Sequence, residues 1–432
     1  MRAVVTIFAN RQMFRVRLFF EGLATGIFTG AVVAAVRILL DAADVFRPRW
    51  FQNLDAEKFL LTVVALIFVA KFLAWAIKFD GQVAGSGVPQ IKGILQGAAA
   101  MTKPLRLLAL KFVSTVLAIG AGMSLGRAGV SVQFGACVGK IFGGIFYRQR
   151  GTIESEILLT AGAGAGLAAI LNAPLAGIIF CVEELHRRFT PEILMATLAA
   201  TVSASAVVSL VFGVHPIFAK IGEVPTVVPE FLNVIFFVAL GIFLGVVGVI
   251  FTRAMVLSLE VYERLKIFGT LRFLIPLALA IPLGVKLPEV LGCGNVLVDE
   301  LLTEDFALEV VVILFAAKFL FTLVSFGTGA PGGVFLPLLT LGALGGEIFA
   351  TAGIMLGFFD AEWSTLLTIF GMAAMFAAVV KAPVTGSILI MEITGEFSYL
   401  LTLTVVAGAA FVVADVLGGE PIFSALLNRA KK

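Results

Sequence analysis

The stretch Gly126-Arg127-Ala128-Gly129-Val130 decides how the chain is read. Three others share its design: Gly85-Ser86-Gly87-Val88-Pro89, Gly332-Gly333-Val334-Phe335-Leu336-Pro337 and Gly419-Glu420-Pro421-Ile422-Phe423. Each sets glycine or proline inside or beside strongly apolar sequence. In hydrocarbon such residues free backbone N–H and C=O groups, which is tolerable only where protein or a wet cavity surrounds them. A helix that begins at mid-depth turns unpaired N–H groups and the positive end of its dipole inward. Several such beginnings converging on one point make an anion site that needs no full positive charge.

Composition sets the solvent. Of 432 residues, 60% are hydrophobic and 14% charged, and the mean hydropathy is +1.08. Soluble domains carry roughly 25% charged residues, so this is a polytopic protein of the lipid bilayer. The uncharged runs 193–219 and 231–252 are long enough to span, since a spanning helix takes about 20 apolar residues. The runs 363–380 and 397–414 are shorter and suit tilted or partial helices. Forty-five glycines favour close helix packing and broken helices.

A net charge of +3 gives no reason to expect a nucleic acid partner. Arg2, Arg11, Arg15 and Arg17 precede the first apolar segment, and Arg429, Lys431 and Lys432 close the chain. The positive-inside rule then puts both termini in the cytoplasm, with an even number of crossings. Arginines scattered to position 17 argue against a cleavable signal peptide. Little sequence follows Phe423, so no cytoplasmic regulatory module is expected. Cys137, Cys181 and Cys293 are isolated, with no CxxC pair and only two histidines, so buried free thiols are expected and neither a metal nor a cofactor. No nucleophile elbow or phosphate-cradling loop supports an enzyme.

Along the chain, 18–40 reads as a first helix, followed by a polar loop containing Arg47-Pro48-Arg49-Trp50 and Asp55. Residues 59–77 read as a second helix whose Lys71 must snorkel or face protein, and Asp80-Gly81-Gln82 breaks the chain ahead of Ser86. The later sequence repeats the earlier. A shift of 209 aligns 162–183 with 371–392, including Ala173-Pro174 with Ala382-Pro383 and Glu183 with Glu392. A shift of 203 aligns Gly126, Gly129, Gly139 and Gly143 with Gly329, Gly332, Gly342 and Gly346, and Lys111-Phe112 recurs as Lys318-Phe319. The expected organisation is an amino-terminal segment (1–17), a first repeat (18–215), a linker (216–229), a second repeat (230–425) and a tail (426–432). Related halves with interruptions in matching places point to a transport site at the repeat interface. The repeat alone leaves parallel and inverted arrangements open.

Six motifs then carry a resemblance: GSGVP (85–89), GRAGVSVQFG (126–135), NAPLAGIIFCVEEL (172–185), GAPGGVFLP (329–337), KAPVTGSILIMEIT (381–394) and GGEPIF (418–423). In order and spacing, over nearly the whole chain, the sequence resembles the CLC family of chloride channels and proton/chloride exchangers. The resemblance implies an all-α polytopic fold of tilted and broken helices in two inverted halves. It also implies a homodimer in the inner (plasma) membrane of a bacterium, with chloride and other halides as substrates.

It further implies residue roles. Ser86 becomes a direct chloride ligand, with a plain helix cap as the alternative. Val334 and Phe335 offer backbone N–H groups to the same anion. Phe423 stands where the family usually has a tyrosine, so one hydroxyl donor is lost, a bond worth about 0.5–1.5 kcal/mol net. Gly126, Arg127, Ala128 and Gly129 form the gate segment, and Ala128 replaces the usual gating glutamate. Alanine neither blocks the path nor takes a proton, whether natural or an introduced substitution. Glu184 matches the internal proton glutamate, the alternative being a helix-end carboxylate paired with Arg187 or Arg188. Arg127 and Lys111 either raise the potential for anions or pair with carbonyls or a carboxylate. Passive chloride transport is therefore expected. The alternatives are proton-coupled antiport and, more weakly, fluoride export; an unrelated inverted-repeat transporter leaves the six motifs unexplained.

Overall fold

The computed structural model describes residues 2–147, 153–186, 190–218, 231–267, 269–304, 306–358 and 360–430. Arg187, Arg188, Lys431, Lys432 and most of the 216–229 linker lie outside the described residues, as do the side chains of Arg2 and Arg11. The fold is all-α. Its helices are α1 (Arg2–Gln52), α2 (Ala56–Phe79), α3 (Val88–Leu95), α4 (Pro104–Gly120), α5 (Ala128–Phe146), α6 (Ile153–Leu171), α7 (Pro174–Phe180), α8 (Pro191–Phe212) and α9 (Phe231–Arg264). There follow α10 (Thr270–Lys286), α11 (Asn295–Leu301), α12 (Leu308–Gly327), α13 (Phe335–Met355), α14 (Trp363–Val380), α15 (Pro383–Thr394), α16 (Leu400–Val416) and α17 (Ile422–Ala430). Among the described residues, ten helical segments are long and apolar enough to cross a membrane.

The first helix outruns its expected bounds. Arg47-Pro48-Arg49-Trp50 is not a loop but the last turns of α1. Polar composition suggested a loop, yet Arg47 is buried, donating to Asp44 Oδ1 (2.8 Å) and Ile119 O (3.3 Å). Trp50 Nε1 donates to Thr62 Oγ1 (2.8 Å). The bonds to Ile119 and Thr62, on other elements, hold a helical turn that proline alone would disfavour. α2 begins where Asp55 accepts from Lys58 N (2.8 Å) and ends at Asp80, whose carboxylate accepts from Gln82 N (3.1 Å). Lys71 is exposed on its outer surface.

The chain forms two compact units. The first comprises Met1–Arg37, Gln90–Phe112 and Ser131–His215. Small residues set its packing: Gly22, Gly26 and Gly30 of α1 lie against the backbone of Ala196, Ala200 and Ala204 of α8, and Gly135 of α5 crosses Gly162 of α6. A side chain at any of these would strike a neighbouring carbonyl, so close backbone approach replaces hydrophobic side-chain interdigitation. The second unit comprises Ile38–Pro89, Val113–Val130 and Pro216–Lys432. There Gly342 of α13 crosses Gly371 of α14, and Gly241 and Gly245 of α9 lie on α16.

The repeat is legible in the backbone itself. Asn172 and Lys381 both adopt positive φ (48° and 63°). The next residues, Ala173 and Ala382, share an unusual conformation (φ/ψ −131°/78° and −130°/72°) before Pro174 and Pro383 open α7 and α15. This is the shift of 209 in three dimensions. The shift of 203, in contrast, is corrected by one helical turn. Gly135 meets Gly162 as Gly342 meets Gly371, and Gly139 meets Leu158 as Gly346 meets Leu367. The register of α5 on α13 is therefore 207, the same shift that relates Lys111 to Lys318. Glycines recurring every turn let the sequence align one turn out of step.

Candidate functional site

With a register of 207, Gly126 and Gly333 are repeat mates, as are the first residues of α5 and α13, Ala128 and Phe335. Gly126 N donates to Gly333 O (2.5 Å) and Gly333 N donates to Gly126 O (2.7 Å), an antiparallel exchange between the two motif loops. The loop before α3 joins them. Gly85 N donates to Gly329 O (3.1 Å) and Gly85 O accepts from Gly332 N (3.2 Å). Ser86 sits between Gly85 (φ 64°) and Gly87 (φ 93°), a conformation that side chains at those two positions would strain. A Cβ on Gly129 would lie 3.1 Å from Ser86 O, so glycine there lets α5 begin against the Ser86 loop.

The structure thus gathers Ser86, Gly126, Ala128, Gly129, Gly333, Val334 and Phe335 at one junction of helix beginnings. Val334 and Phe335 are buried. Their side chains are apolar, so their polar contribution is main-chain N–H at a helix start, where intrahelical partners are absent. Ser86 is 2% exposed, and among the described residues its hydroxyl has no hydrogen-bond partner. It does not cap α3. A buried hydroxyl without a partner is uncommon in native proteins, and an anion arriving at this junction would satisfy it. Phe423, at the head of α17, is buried as well.

Ala128 is 0% exposed and is the first residue of α5. Arg127 is buried and paired with Asp41 of α1 (2.5 Å), so of the two readings of this arginine the carboxylate pair is the one found. Lys111 is fully buried in α4. Its mate Lys318 donates to Val290 O (2.8 Å) and Gly292 O (3.1 Å). These carbonyls flank a second tight loop, in which Gly292 (φ 67°) and Gly294 (φ 93°) enclose Cys293 as Gly85 and Gly87 enclose Ser86. All three cysteines are free and buried.

Glu184 is buried where α7 widens into a π turn, Cys181–His186, while Glu183 is half-buried. Its partner is Lys92 of α3, whose Nζ lies 2.5 Å from Glu184 Oε1. Sequence reasoning missed this lysine because the two stand 92 residues apart. The available signal was that Lys92 is the lone charge between Asp80 and Lys103. Asp41 was missed likewise: nothing local ties it to Arg127.

Comparison with known proteins agrees with this architecture. A model of the family described as "Voltage gated chloride channel" matches residues 72–415. The H(+)/Cl(-) exchange transporter ClcA of Vibrio vulnificus is 34% identical over 430 residues, covering 96% of this chain and 90% of the relative. A solved structure described as a slow cyanobacterial Cl-/H+ antiporter superposes with a TM-score of 0.89 at 29% identity, covering 96% of this chain and 98% of that one. A CLC-type fluoride/proton antiporter, at 22% identity and TM-score 0.75 with 93% and 96% covered, shares the fold. With the family matched over most of its length and its motif loops gathered at one buried junction, this chain belongs to the CLC family of voltage gated chloride channels and transporters.

Proposed function

We propose that the protein conducts chloride passively through the bilayer. The anion is held by the Ser86 hydroxyl and the amides of Val334 and Phe335, with Phe423 beside it. One path runs through each subunit of a homodimer in a bacterial inner membrane, with both termini cytoplasmic. The observation that carries this reading is Ala128: the first residue of α5, buried at the junction, ends in a methyl group. Nothing at that position competes with an anion or accepts a proton. Flux then follows the chloride gradient and the membrane potential.

The test is chloride efflux from vesicles reconstituted with the purified protein, with proton movement recorded in the same sample. Chloride release without proton uptake is the expected result. Proton uptake in fixed proportion to chloride would overturn the passive reading in favour of antiport. That second reading is favoured by the relatives described as exchanger and antiporter, and it needs an acid other than residue 128. Fluoride export is the weaker alternative, because Ser86 within GSGVP follows the chloride pattern.

A further inference from the structure

We infer that the cavity between α9 and the corner joining α16 to α17 binds the headgroup of a zwitterionic phospholipid, one that carries a phosphate and a free ammonium, as an ethanolamine phospholipid does. The cavity lies wholly within the second compact unit. The inference does not depend on how the anion is held at the junction.

Two helices fix the depth of this cavity in the bilayer. α9 and α16 run side by side in the same direction, with Gly241 against Ala409 and Gly245 against Val413. The uncharged run of α9 ends at Thr252 and that of α16 at Ala414, so Arg253 and Asp415 are the first charges beyond them. Just past both ends, Arg253 Nη2 donates to Leu417 O (2.8 Å). As helix, 231–252 rises about 33 Å, close to the roughly 30 Å of a hydrocarbon core. Both apolar runs therefore stop at one level, the boundary where lipid headgroups sit.

At that level lies a cavity of about 820 Å³, whose lining includes Thr252, Arg253, Leu257, Glu420 and Asn428. Its polar groups carry both signs, and the fold leaves several of them unused. Thr252 is 4% exposed, and among the described residues its hydroxyl has no hydrogen-bond partner, which is uncommon for a buried group. Arg253 gives one donor to Leu417 O and makes no ion pair among the described residues. Glu420 and Asn428 are exposed and, among the described residues, have no polar partner. The other charges of the lining are already matched. Arg429 lies 2.6 Å from Glu263 and donates to Val256 O (3.0 Å), while Glu260 lies 3.3 Å from Arg264 and 3.8 Å from Arg429. These contacts fasten α17 to α9 and leave one guanidinium, one hydroxyl and one carboxylate for a ligand.

That remainder selects the ligand. Phosphate suits the guanidinium and hydroxyl of Arg253 and Thr252, and an ammonium suits the carboxylate of Glu420. Unmatched charge sums to zero, whereas an anionic headgroup calls for a basic pocket. The adjoining surface selects a lipid over a soluble zwitterion. Leu257 in the wall, Val416 and Leu417 at the corner and Ile250 one turn back are all exposed and apolar, a surface on which acyl chains attached to such a headgroup can lie.

The experiment titrates the full-length protein in detergent with phosphatidylethanolamine and reads bound lipid by native mass spectrometry. One lipid per chain should bind, about tenfold more weakly after Thr252→Val, Arg253→Gln or Glu420→Gln, since each removes a bond to a charged group. Phosphatidylglycerol, which has the phosphate without the ammonium, should bind the parent protein about tenfold more weakly and be indifferent to Glu420→Gln. Thr252→Val and Glu420→Gln break no polar contact within the described residues, so their unfolding temperature without lipid should equal the parent's. They decide the question even if Arg253→Gln is not recovered folded. Phosphatidylethanolamine binding unchanged in both would overturn the inference, as would phosphatidylglycerol binding as tightly. Soluble glycerophosphoethanolamine binding as tightly as the lipid would overturn it too, by giving the cavity to a soluble ligand.

Discussion

Gly126 and Gly333 exchange both of their backbone hydrogen bonds, at 2.5 and 2.7 Å, and each is the other's repeat mate. A reciprocal exchange between equivalent residues places a local two-fold axis through the pair. The same relation recurs next to it: Gly85 N donates to Gly329 O, and their mates answer with Gly292 N donating to Gly122 O (3.4 Å). Helices α5 and α13 begin two residues beyond this axis. Two dipoles that repel when brought end to end are thereby held at one point, which a negative ion would stabilise.

Replacing Ser86 by alanine should weaken chloride binding without unfolding the protein, because its hydroxyl has no protein partner to lose. A hydrogen bond to a charged group is worth about 1.5–3 kcal/mol, so the dissociation constant should rise by one to two orders of magnitude. Titration calorimetry with chloride measures it directly. An unchanged constant would remove Ser86 from the site.

Phe423→Tyr should act in the opposite direction. The ring already lies buried at the head of α17, and the added hydroxyl supplies a donor to a charged group, worth about 1.5–3 kcal/mol. Chloride should bind about tenfold more tightly or better in the same calorimetric assay. Weaker binding would mean that the ring faces away from the anion.

The register of 207 has its own consequence. Gly139→Ala and Gly346→Ala each drive a methyl group into a carbonyl of the facing helix, Leu158 and Leu367 respectively. Each should lower stability by about 1–3 kcal/mol, the usual cost of overpacking, and by similar amounts, as equivalent positions should. Gly144, also in α5, has nothing within 4 Å of such a methyl, so Gly144→Ala should be neutral or slightly stabilising. Thermal unfolding in detergent ranks the three.

Ala128→Glu puts a carboxylate at the first residue of α5, where the helix dipole favours negative charge. It should compete with chloride and slow efflux several-fold at neutral pH, with relief at acidic pH as the carboxyl protonates. Efflux as fast as that of the parent protein at neutral pH would show that position 128 does not face the path.

Much of this arrangement is legible in the chain, for reasons of physical chemistry. Glycine flanking Ser86 and Ala128 announces broken helices, because in an apolar segment few other roles explain it. The Ala-Pro pairs at 173–174 and 382–383 identify the repeat because proline fixes where a helix starts, and both pairs start one. What fails is anything set by tertiary contact. Arg47 and Pro48 look like loop residues until Ile119 O is seen to receive the guanidinium. Arg127 finds Asp41 and Glu184 finds Lys92 across long sequence separations, with no local pattern to reveal the partner. The one-turn error in register comes from glycines that match themselves every four residues.

The most direct test of the central claim is anomalous scattering from crystals of the protein grown in bromide. A bromide peak within hydrogen-bonding distance of the Ser86 hydroxyl and the amides of Val334 and Phe335 is the predicted result. Well-ordered density at these residues with no bromide between them would contradict the account.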